Sequence, residues 1–221
     1  MTTDLNGLSV FIPDDAEAEL PLICALGEDV SGINAIAGFM DCKAAIVALP
    51  VDDWNAELTP WPAPPLRRGK PFAGNADKML ERLDRLMSEL PALLKSNMGI
   101  TVSKCLLIGY SLGGLCALWA ATMRGCFDGV ASVSGSLWYD GFDEYIGEHA
   151  VNAHAVYLSL GDAEPRTRDK RLGRVGDSTL AVYDRLTKME IRTVFEWNPG
   201  NHFADAPKRS ARGADWLCKN V

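Results

Sequence analysis

Residues 104–123 read KCLLIGYSLGGLCALWAATM, and the prediction of the fold starts from these twenty residues. The stretch opens with KCLLI, an apolar run of the kind found in strands that are buried on both faces. Residues 112–123 form a second apolar run, long enough for a helix. Between them lies GYSLG (109–113), a G-x-S-x-G motif. Its position between a predicted strand and a predicted helix is the setting of a nucleophile elbow.

Steric crowding explains why positions 109 and 113 of this motif are glycines. In an elbow the strand and the helix pass close together, so side chains at positions 109 and 113 would clash. The turn holds Ser111 in a strained conformation and lifts its hydroxyl above the sheet, beside the free amide of Leu112 at the helix N-terminus. We interpret Ser111 as a nucleophile and the Leu112 amide as an oxyanion donor. The alternative is a glycine-rich turn with a bystander serine.

Apolar runs and helical patterns alternate over the rest of the chain. Strands are predicted at 22–26, 44–49, 129–133, 155–160 and 191–197, and helices at 30–40, 76–95, 178–189 and 210–218. Pro91 is expected to kink its helix or to begin a new segment, and Ser178 is a candidate N-cap. The alternation predicts a doubly wound, mainly parallel α/β sheet with helices on both faces and ligands at the carboxyl ends of the strands.

The composition excludes several classes of protein. With 221 residues, 48% of them hydrophobic and 23% charged, the chain can bury a core, and we expect one domain over 1–221. The net charge of -7 argues against a nucleic-acid partner. No apolar run approaches the ~20 residues that span a bilayer, and the N-terminus shows no signal peptide. We therefore expect a cytoplasmic protein without a membrane partner.

Six cysteines are scattered along the chain without a CxxC pair or metal-ligand spacing, so no metal site is predicted. Because several of them lie in apolar segments, we interpret them as reduced thiols of a cytosolic protein. They are Cys24, Cys42, Cys105, Cys116, Cys126 and Cys218.

Residues 50–71 are rich in proline. Such a segment is neither a helix interior nor a central strand. We predict a long ordered loop near the active site, anchored by Trp54 and Trp61, since loops of this length in compact domains are usually functional. With Trp138 and Tyr139, these tryptophans are candidates for lining an apolar or aromatic substrate pocket. The alternative for each is packing in a loop or the core.

A serine hydroxyl needs a base to become a good nucleophile, and the chain contains three histidines. His202 lies in NPGNHF (198–203), a loop that follows the predicted strand over 191–197 and therefore lies at a carboxyl end. His149 and His154 instead flank the beginning of a strand, at the opposite edge of the sheet. By elimination, His202 is the predicted base.

The imidazole needs an acid to hold its tautomer and to stabilise its charge. The predicted strand that ends at residue 160 is followed by GDAEP (161–165), whose carboxylates face the same edge of the sheet. We favour Glu164 over Asp162, with Asp169 as a more distant alternative. The triad then has the chain order Ser–acid–His of an α/β-hydrolase.

A second oxyanion donor is expected from the loop after the strand over 22–26. That loop is GED (27–29), and the Glu28 amide is the candidate. The alternative is a plain strand-to-helix turn in which Asp29 caps the helix.

A basic run follows the predicted acid. It is suited to attracting an anionic or catecholate substrate, although a charge run is usually a solvated face. The run consists of Arg166, Arg168, Lys170, Arg171 and Arg174.

Several stretches of the chain resemble a known family. They are DWNAELTPWPAP (53–64), IGYSLGGLCALWA (108–120), SVSGSLWYDGF (132–142), YLSLGDAEP (157–165) and GNHFADAP (200–207). They resemble the esterase D / enterochelin esterase group of the α/β-hydrolase superfamily. The resemblance implies an α/β-hydrolase fold and hydrolysis of a small-molecule carboxylic ester through an acyl-enzyme, with no metal or organic cofactor. The resemblance also implies a nucleophile at Ser111 and a base at His202, whereas the identity of the acid varies among such enzymes.

The sequence therefore predicts a serine esterase. Two alternatives use the same fold. One is an acyltransferase with the same triad, and the other is a protein that binds a ligand or a partner without hydrolysing it. No particular oligomeric state is predicted.

Overall fold

Within the residues that the structure describes, 1–66 and 69–221, eight strands form one sheet in this computed structural model. The strands are β1 (Thr2–Leu5), β2 (Leu8–Phe11), β3 (Glu19–Leu26), β4 (Ala45–Leu49), β5 (Thr101–Tyr110), β6 (Gly129–Val133), β7 (Ala155–Gly161) and β8 (Arg192–Asn198). Their order is β1-β2-β4-β3-β5-β6-β7-β8, and all pairs from β4 to β8 are parallel. The prediction of a mainly parallel sheet is confirmed.

Helices cover both faces of this sheet. They are α1 (Val30–Ala37), α2 (Trp54–Glu57), α3 (Asp77–Met98), α4 (Leu112–Met123), α5 (Phe142–Glu148), α6 (Val175–Lys188) and α7 (Ala206–Asn220). One face packs against α1 and α7, and the other against α3, α4, α5 and α6. The doubly wound arrangement is confirmed. None of the helices in the described part of the chain is both long enough and apolar enough to cross a membrane.

The central strands are continuously apolar because both of their faces are covered. In β3, Leu22, Cys24 and Leu26 are buried against one set of helices, whereas Ile23 and Ala25 are buried against the other. Successive side chains of a strand point to opposite faces, so a strand between two helix layers has no polar face. Full burial of each large aliphatic side chain contributes ~1.5–3 kcal/mol.

An antiparallel hairpin at the N-terminus is missing from the sequence prediction. The strands β1 and β2 pair with each other, and β2 extends the sheet beside β4. Asn6 and Gly7 join them with φ angles of 55° and 81°, which is the left-handed backbone that an Asn-Gly hairpin turn requires. The strands have four residues each, too few for a periodic pattern, so the Asn-Gly pair was the available signal.

Several helix boundaries differ from the predicted ones. Helix α3 continues through Pro91 as one helix, because Leu90 and Leu94 continue its buried face on both sides of the proline. The prediction of Ser178 as an N-cap is wrong, since a 3-10 turn at Leu172–Arg174 leads directly into α6 and starts that helix earlier. Helix α7 also begins four residues before its predicted start, and α2 and α5 were not predicted.

The cysteines are not all free thiols, and this part of the prediction is wrong. Cys42 and Cys218 form a disulfide across a sequence separation of 176 residues. It joins the segment before β4 to the last turns of α7, which lie on the same face of the sheet. Asp215 strengthens this junction by accepting hydrogen bonds from the amides of Asp41 and Cys42. Nothing in the local sequence links two positions so far apart. The free cysteines are Cys24, Cys105, Cys116 and Cys126.

Candidate active site

Ser111 lies in the sharp turn between β5 and α4. Its φ and ψ are 58° and -121°, a backbone conformation that costs a side-chain-bearing residue ~1–3 kcal/mol. The surrounding backbone holds it there, because the Ser111 amide donates to the Val133 carbonyl at 3.1 Å and the Ser136 amide donates to the Ser111 carbonyl at 3.0 Å. The turn presents the serine hydroxyl at the carboxyl edge of the sheet.

The close approach predicted at the two glycines of the motif is present. A Cβ atom on Gly109 would lie 2.2 Å from the carbonyl carbon of Gly113, and one on Gly113 would lie 3.0 Å from the Leu26 carbonyl oxygen. Real Cβ atoms do not approach backbone at the first of these distances, so position 109 admits only glycine. The helix thereby starts directly above the ends of β3 and β5.

His202 joins the other two predicted residues at this edge. Its Nε2 lies 3.0 Å from the Ser111 Oγ, and its Nδ1 lies 2.7 Å from the Glu164 Oε2. The three side chains follow the ends of β5, β7 and β8, which are parallel and therefore end at the same edge. Their arrangement is a continuous hydrogen-bonded chain from a hydroxyl to a carboxylate.

Glu164 is held in a buried and fully bonded position. Its side chain is 4% exposed, and its Oε1 accepts the Gly161 amide at 2.6 Å and lies 3.3 Å from the Arg209 guanidinium. Burial raises the pKa of Glu164, but the hydrogen bonds from His202 and the Gly161 amide lower it by more. The pKa is therefore below the ordinary glutamate value of 4.5. The carboxylate is therefore ionised at neutral pH.

The two alternative acids have other contacts. Asp162 is 53% exposed, and its Oδ1 accepts the Gly200 amide at 3.0 Å, so it links the loop after β7 to the loop that carries His202. Asp169 accepts the amides of Arg171 and Leu172 at the start of the 3-10 turn. Of the three carboxylates that were considered, Glu164 is the one that contacts the imidazole.

The other two histidines lie away from Ser111, as the elimination argument requires. His149 follows α5 and its Nδ1 lies 2.9 Å from the Tyr145 carbonyl oxygen. His154 is directly before β7, at the amino end of the strand, 3.7 Å from Asp128. Both positions are at the edge of the sheet opposite to His202.

Arg209 is a part of the site that the sequence reasoning missed. Its side chain is 3% exposed and donates to the Pro199 carbonyl at 2.8 Å and to the Ser134 Oγ at 3.1 Å, besides facing Glu164. The Tyr110 hydroxyl beside it donates to the His202 carbonyl at 2.6 Å. Arg209 thus ties α7 to the loops of the acid and the base. A single arginine within a polar helix carries no local sequence signal of this role.

The amide of Leu112 is a suitable oxyanion donor by its position. It is the first amide of α4, and no acceptor for it is found among residues 1–66 and 69–221. At the helix N-terminus it also benefits from the positive end of the helix dipole. The Ser136 hydroxyl lies 3.4 Å from the Ser111 Oγ, so a second polar hydrogen is near the same point.

The Glu28 amide, the predicted second donor, is only weakly engaged within its turn. It makes a long hydrogen bond of 3.4 Å to the Ala25 carbonyl, whereas the Gly27 amide donates to Leu49 at 2.8 Å. The alternative structure of this turn is also present, since the Asp29 side chain caps α1 by accepting the Gly32 amide. The oxyanion role of Glu28 stays a prediction.

A cavity of about 850 Å³ opens at Ser111. Glu164 and His202 line it, together with Trp138 and the exposed Phe203 that follows the histidine. The predicted loop over 50–71 contributes to this wall within its described residues; positions 67 and 68 of that loop lie outside the described residues.

Of the four aromatic residues proposed for substrate binding, Trp138 is the one that lines the cavity. Trp61 donates its indole N–H to the Asp140 carbonyl, and Tyr139 donates its hydroxyl to the Trp61 carbonyl, so both are internal packing residues. The Trp54 ring covers Gly27, where a Cβ would lie 2.8 Å from the indole. For Trp61 and Tyr139 the packing alternative describes the structure better, because both pack in the hydrophobic core. Trp54 is 39% exposed and is not among the described residues that line the cavity.

A family model described as "Putative esterase" matches residues 31–193, more than half of the chain. The chain belongs to this esterase family. Membership makes it a carboxylic ester hydrolase of the α/β-hydrolase group, as the resemblance in the sequence implied. No curated protein matches the chain at a significant level.

Solved structures share the fold at low sequence identity. An IroE-like serine hydrolase from Shewanella oneidensis is 18% identical with a TM-score of 0.75, over 96% of this chain and 75% of that chain. The siderophore hydrolase EstA from Aspergillus nidulans is 18% identical with a TM-score of 0.71, over 96% and 89%. The enterobactin esterase FES from Shigella flexneri is 21% identical with a TM-score of 0.66, over 96% and 55%, so this chain spans about half of its length.

The contacts of Arg209 predict a large effect on stability. Arg209→Met removes the cation that pairs with the buried Glu164 carboxylate and the hydrogen-bond donor to the Pro199 carbonyl oxygen. We expect the free energy of unfolding to fall by roughly 3–5 kcal/mol, measured by urea unfolding. Arg212→Met is the matched control, because Arg212 lies on the same helix in a half-exposed ion pair with Glu196 worth about 1 kcal/mol or less. Equal losses in the two variants would contradict the prediction.

The lowered pKa of Glu164 predicts a pH dependence of stability. A carboxyl group whose pKa is lower in the folded state stabilises the fold fully above its unfolded pKa and loses this contribution as the pH falls through the folded pKa. We expect the difference in unfolding free energy between the wild type and Glu164→Gln to be largest near neutral pH and to shrink below about pH 4. Urea unfolding over a pH series measures it, and a difference that grows on acidification would contradict the prediction.

Proposed function

We propose that this esterase is a serine hydrolase that cleaves a small-molecule carboxylic ester through an acyl-enzyme on Ser111. The observation that carries the proposal is the chain of hydrogen bonds from Ser111 through His202 to Glu164, with distances of 3.0 and 2.7 Å. These are the distances over which a base takes a proton and an acid orients that base. The Ser111 end of this series of hydrogen bonds lies in a cavity with room for a substrate.

The first step is acylation of Ser111. His202 Nε2 takes the hydroxyl proton as the serine oxygen attacks the ester carbonyl, which forms a tetrahedral intermediate with a negative oxygen. The same imidazole then returns the proton to the leaving alcohol, and the carbonyl re-forms as an acyl-serine. The 3.0 Å separation in the free enzyme means that little rearrangement is needed before attack.

The second step is hydrolysis of the acyl-enzyme. Water takes the place of the alcohol, and its oxygen attacks the acyl carbon while His202 accepts its proton. The second tetrahedral intermediate then breaks the bond between that carbon and the Ser111 oxygen, and His202 returns the proton to the serine, which releases the acid. The Leu112 amide donates to the oxyanion in both steps, and one oxyanion donor is worth ~2.7–4 kcal/mol of barrier. Glu28, whose amide is only weakly engaged, is the proposed second donor.

Glu164 acts through the imidazole. As an ionised carboxylate bonded to Nδ1, it selects the tautomer with a free Nε2 and stabilises the imidazolium of the transition state. Its burial strengthens this attraction, because fewer water molecules screen the pair. The lowered pKa keeps it charged throughout the neutral pH range.

The alternatives differ from this proposal in testable ways. A non-hydrolytic binding protein has no need for an activated serine, so the hydrogen bonds that join Ser111, His202 and Glu164 favour hydrolysis. An acyltransferase uses the same acylation step and differs only in the acceptor of the acyl group.

An active-site probe tests the nucleophile. We expect a fluorophosphonate probe to label the wild type and to fail with Ser111→Ala, because only an activated serine attacks the phosphorus. Ser136→Ala is the matched control, since its hydroxyl lies 3.4 Å from the Ser111 Oγ and we expect that variant to be labelled. Labelling, read by intact mass and gel fluorescence, that survives in Ser111→Ala or is absent from the folded wild type contradicts the proposal.

A pair of isosteric variants tests the acid. We expect Glu164→Gln to lower kcat for p-nitrophenyl acetate by about 10²–10⁴-fold, because the amide favours the wrong imidazole tautomer. Asp162→Asn keeps an acceptor for the Gly200 amide and should change kcat by only a few-fold. Steady-state rates of both variants decide the assignment, and the reverse ranking would move the acid to Asp162.

A further inference from the structure

The mouth of the active-site cavity is positively charged in a chain whose net charge is -7. Among the described residues that line the cavity, three carry a positive charge and one carries a negative charge. The cations are Lys70, Arg166 and Arg168, and the anion is Glu164. The excess of positive charge is therefore local and faces the site.

The one carboxylate in this lining does not neutralise the cations at the mouth. Glu164 is buried and engaged by His202 and Arg209. Its charge is balanced by the buried Arg209 guanidinium, 3.3 Å away. A charge that is already compensated attracts a second cation only weakly, so the field of the mouth remains positive.

Some of the cations near the cavity are held by carboxylates, and others have no such partner among the described residues. Arg171 and Arg174 pair with Asp140, and Arg166 donates to the Asp162 carbonyl four residues before it. No ion pair with a carboxylate is found for Lys70 or Arg168 in the described part of the chain. These two cations come from different loops, one from the proline-rich loop and one from the loop after Glu164.

The rest of the cavity wall is largely apolar, although Asn55, Thr167 and Asn201 also line it. Phe203, which directly follows the His202 imidazole in the chain, is 86% exposed and presents its ring to the cavity. The apolar lining residues are Leu66, Phe72, Leu112, Trp138, Ala163, Leu172, Val175 and Phe203. Such a wall buries a hydrocarbon or aromatic body, while the cations at the mouth remain in water.

We propose that the physiological substrate is an ester whose apolar body carries a fixed negative charge, such as a carboxylate, phosphate or sulfonate, and that Lys70 and Arg168 select it. The inference rests on the proposed esterase function and adds a substrate class to it. The apolar walls position the body of the substrate, and the two cations hold its charged end while Ser111 attacks the ester.

Two matched pairs of esters test the proposal. On the acyl side, p-nitrophenyl hemiadipate is compared with its methyl ester by release of p-nitrophenol. On the alcohol side, 3-carboxyphenyl butyrate is compared with its methyl ester by release of the phenol. We expect kcat/KM for the anionic member of at least one pair to be about fivefold to twentyfold higher, as expected for one or two exposed charge contacts.

Variants and salt separate charge recognition from other effects. In Lys70→Gln/Arg168→Gln the ratio of anionic to neutral kcat/KM should fall toward one, and an ionic strength of about 0.5 M should reduce it in the wild type because salt screens exposed charges. Lys170→Gln is the matched control. It removes a neighbouring cation that does not line the cavity and should leave the ratio unchanged.

The outcomes distinguish the two proposals. If the neutral esters are hydrolysed in a Ser111-dependent way with no preference for either anionic partner, the substrate class is overturned and the esterase mechanism stands. A preference that the double variant retains also overturns the role of the two cations. If no ester in the panel is hydrolysed by a folded protein that also refuses the fluorophosphonate probe, the proposed function itself fails.

Discussion

The site depends on the close packing of β5 against α4. Gly109 lets the strand and the helix meet at a distance that a Cβ atom would prevent, and Gly113 lets the helix approach the end of β3. The chain turns between them through Ser111, whose φ is positive. This single constraint sets three features at once. It exposes the hydroxyl at the carboxyl edge, aims the first amides of the helix at the same point, and places both beside the ends of the neighbouring parallel strands. The cost of the strained residue is small beside the burial of the two apolar elements that enforce it.

A buried charge network holds the loops around that elbow. Glu164 follows β7, His202 follows β8 and Arg209 lies on α7, and the buried Glu164 carboxylate contacts both of the other side chains. A buried carboxylate is tolerated only when it is paired and hydrogen-bonded. The network therefore serves the fold and the chemistry together, because the contacts that stabilise Glu164 also keep it ionised and keep the imidazole oriented toward Ser111. The mouth of the cavity has the opposite character, with cations that are exposed and only partly paired.

Much of the fold follows from local patterns. Strands that are apolar at every position imply a sheet covered on both faces, and their alternation with helices implies parallel order. These patterns are strong in β3, β4, β6 and β7, where they agree with the structure. They are weak in the N-terminal hairpin, whose strands are short, and at the start of α6, where the preceding 3-10 turn sets the first residue instead of the side chain of Ser178. Boundaries differ because the packing of neighbouring segments decides them.

Local sequence patterns were enough to predict the elbow serine, the edge of the sheet at which its partners lie, and hence His202 and the short choice between Glu164 and Asp162. Those residues follow strand ends, and parallel strands bring their ends together without further information. Side-chain packing in the folded chain was needed to show which carboxylate reaches the imidazole, which aromatic rings face the cavity, and that Arg209 and the Cys42–Cys218 pair hold α7 in place. These are contacts between side chains far apart in the chain, and their distances depend on how helices and loops pack on the sheet, which no local pattern encodes.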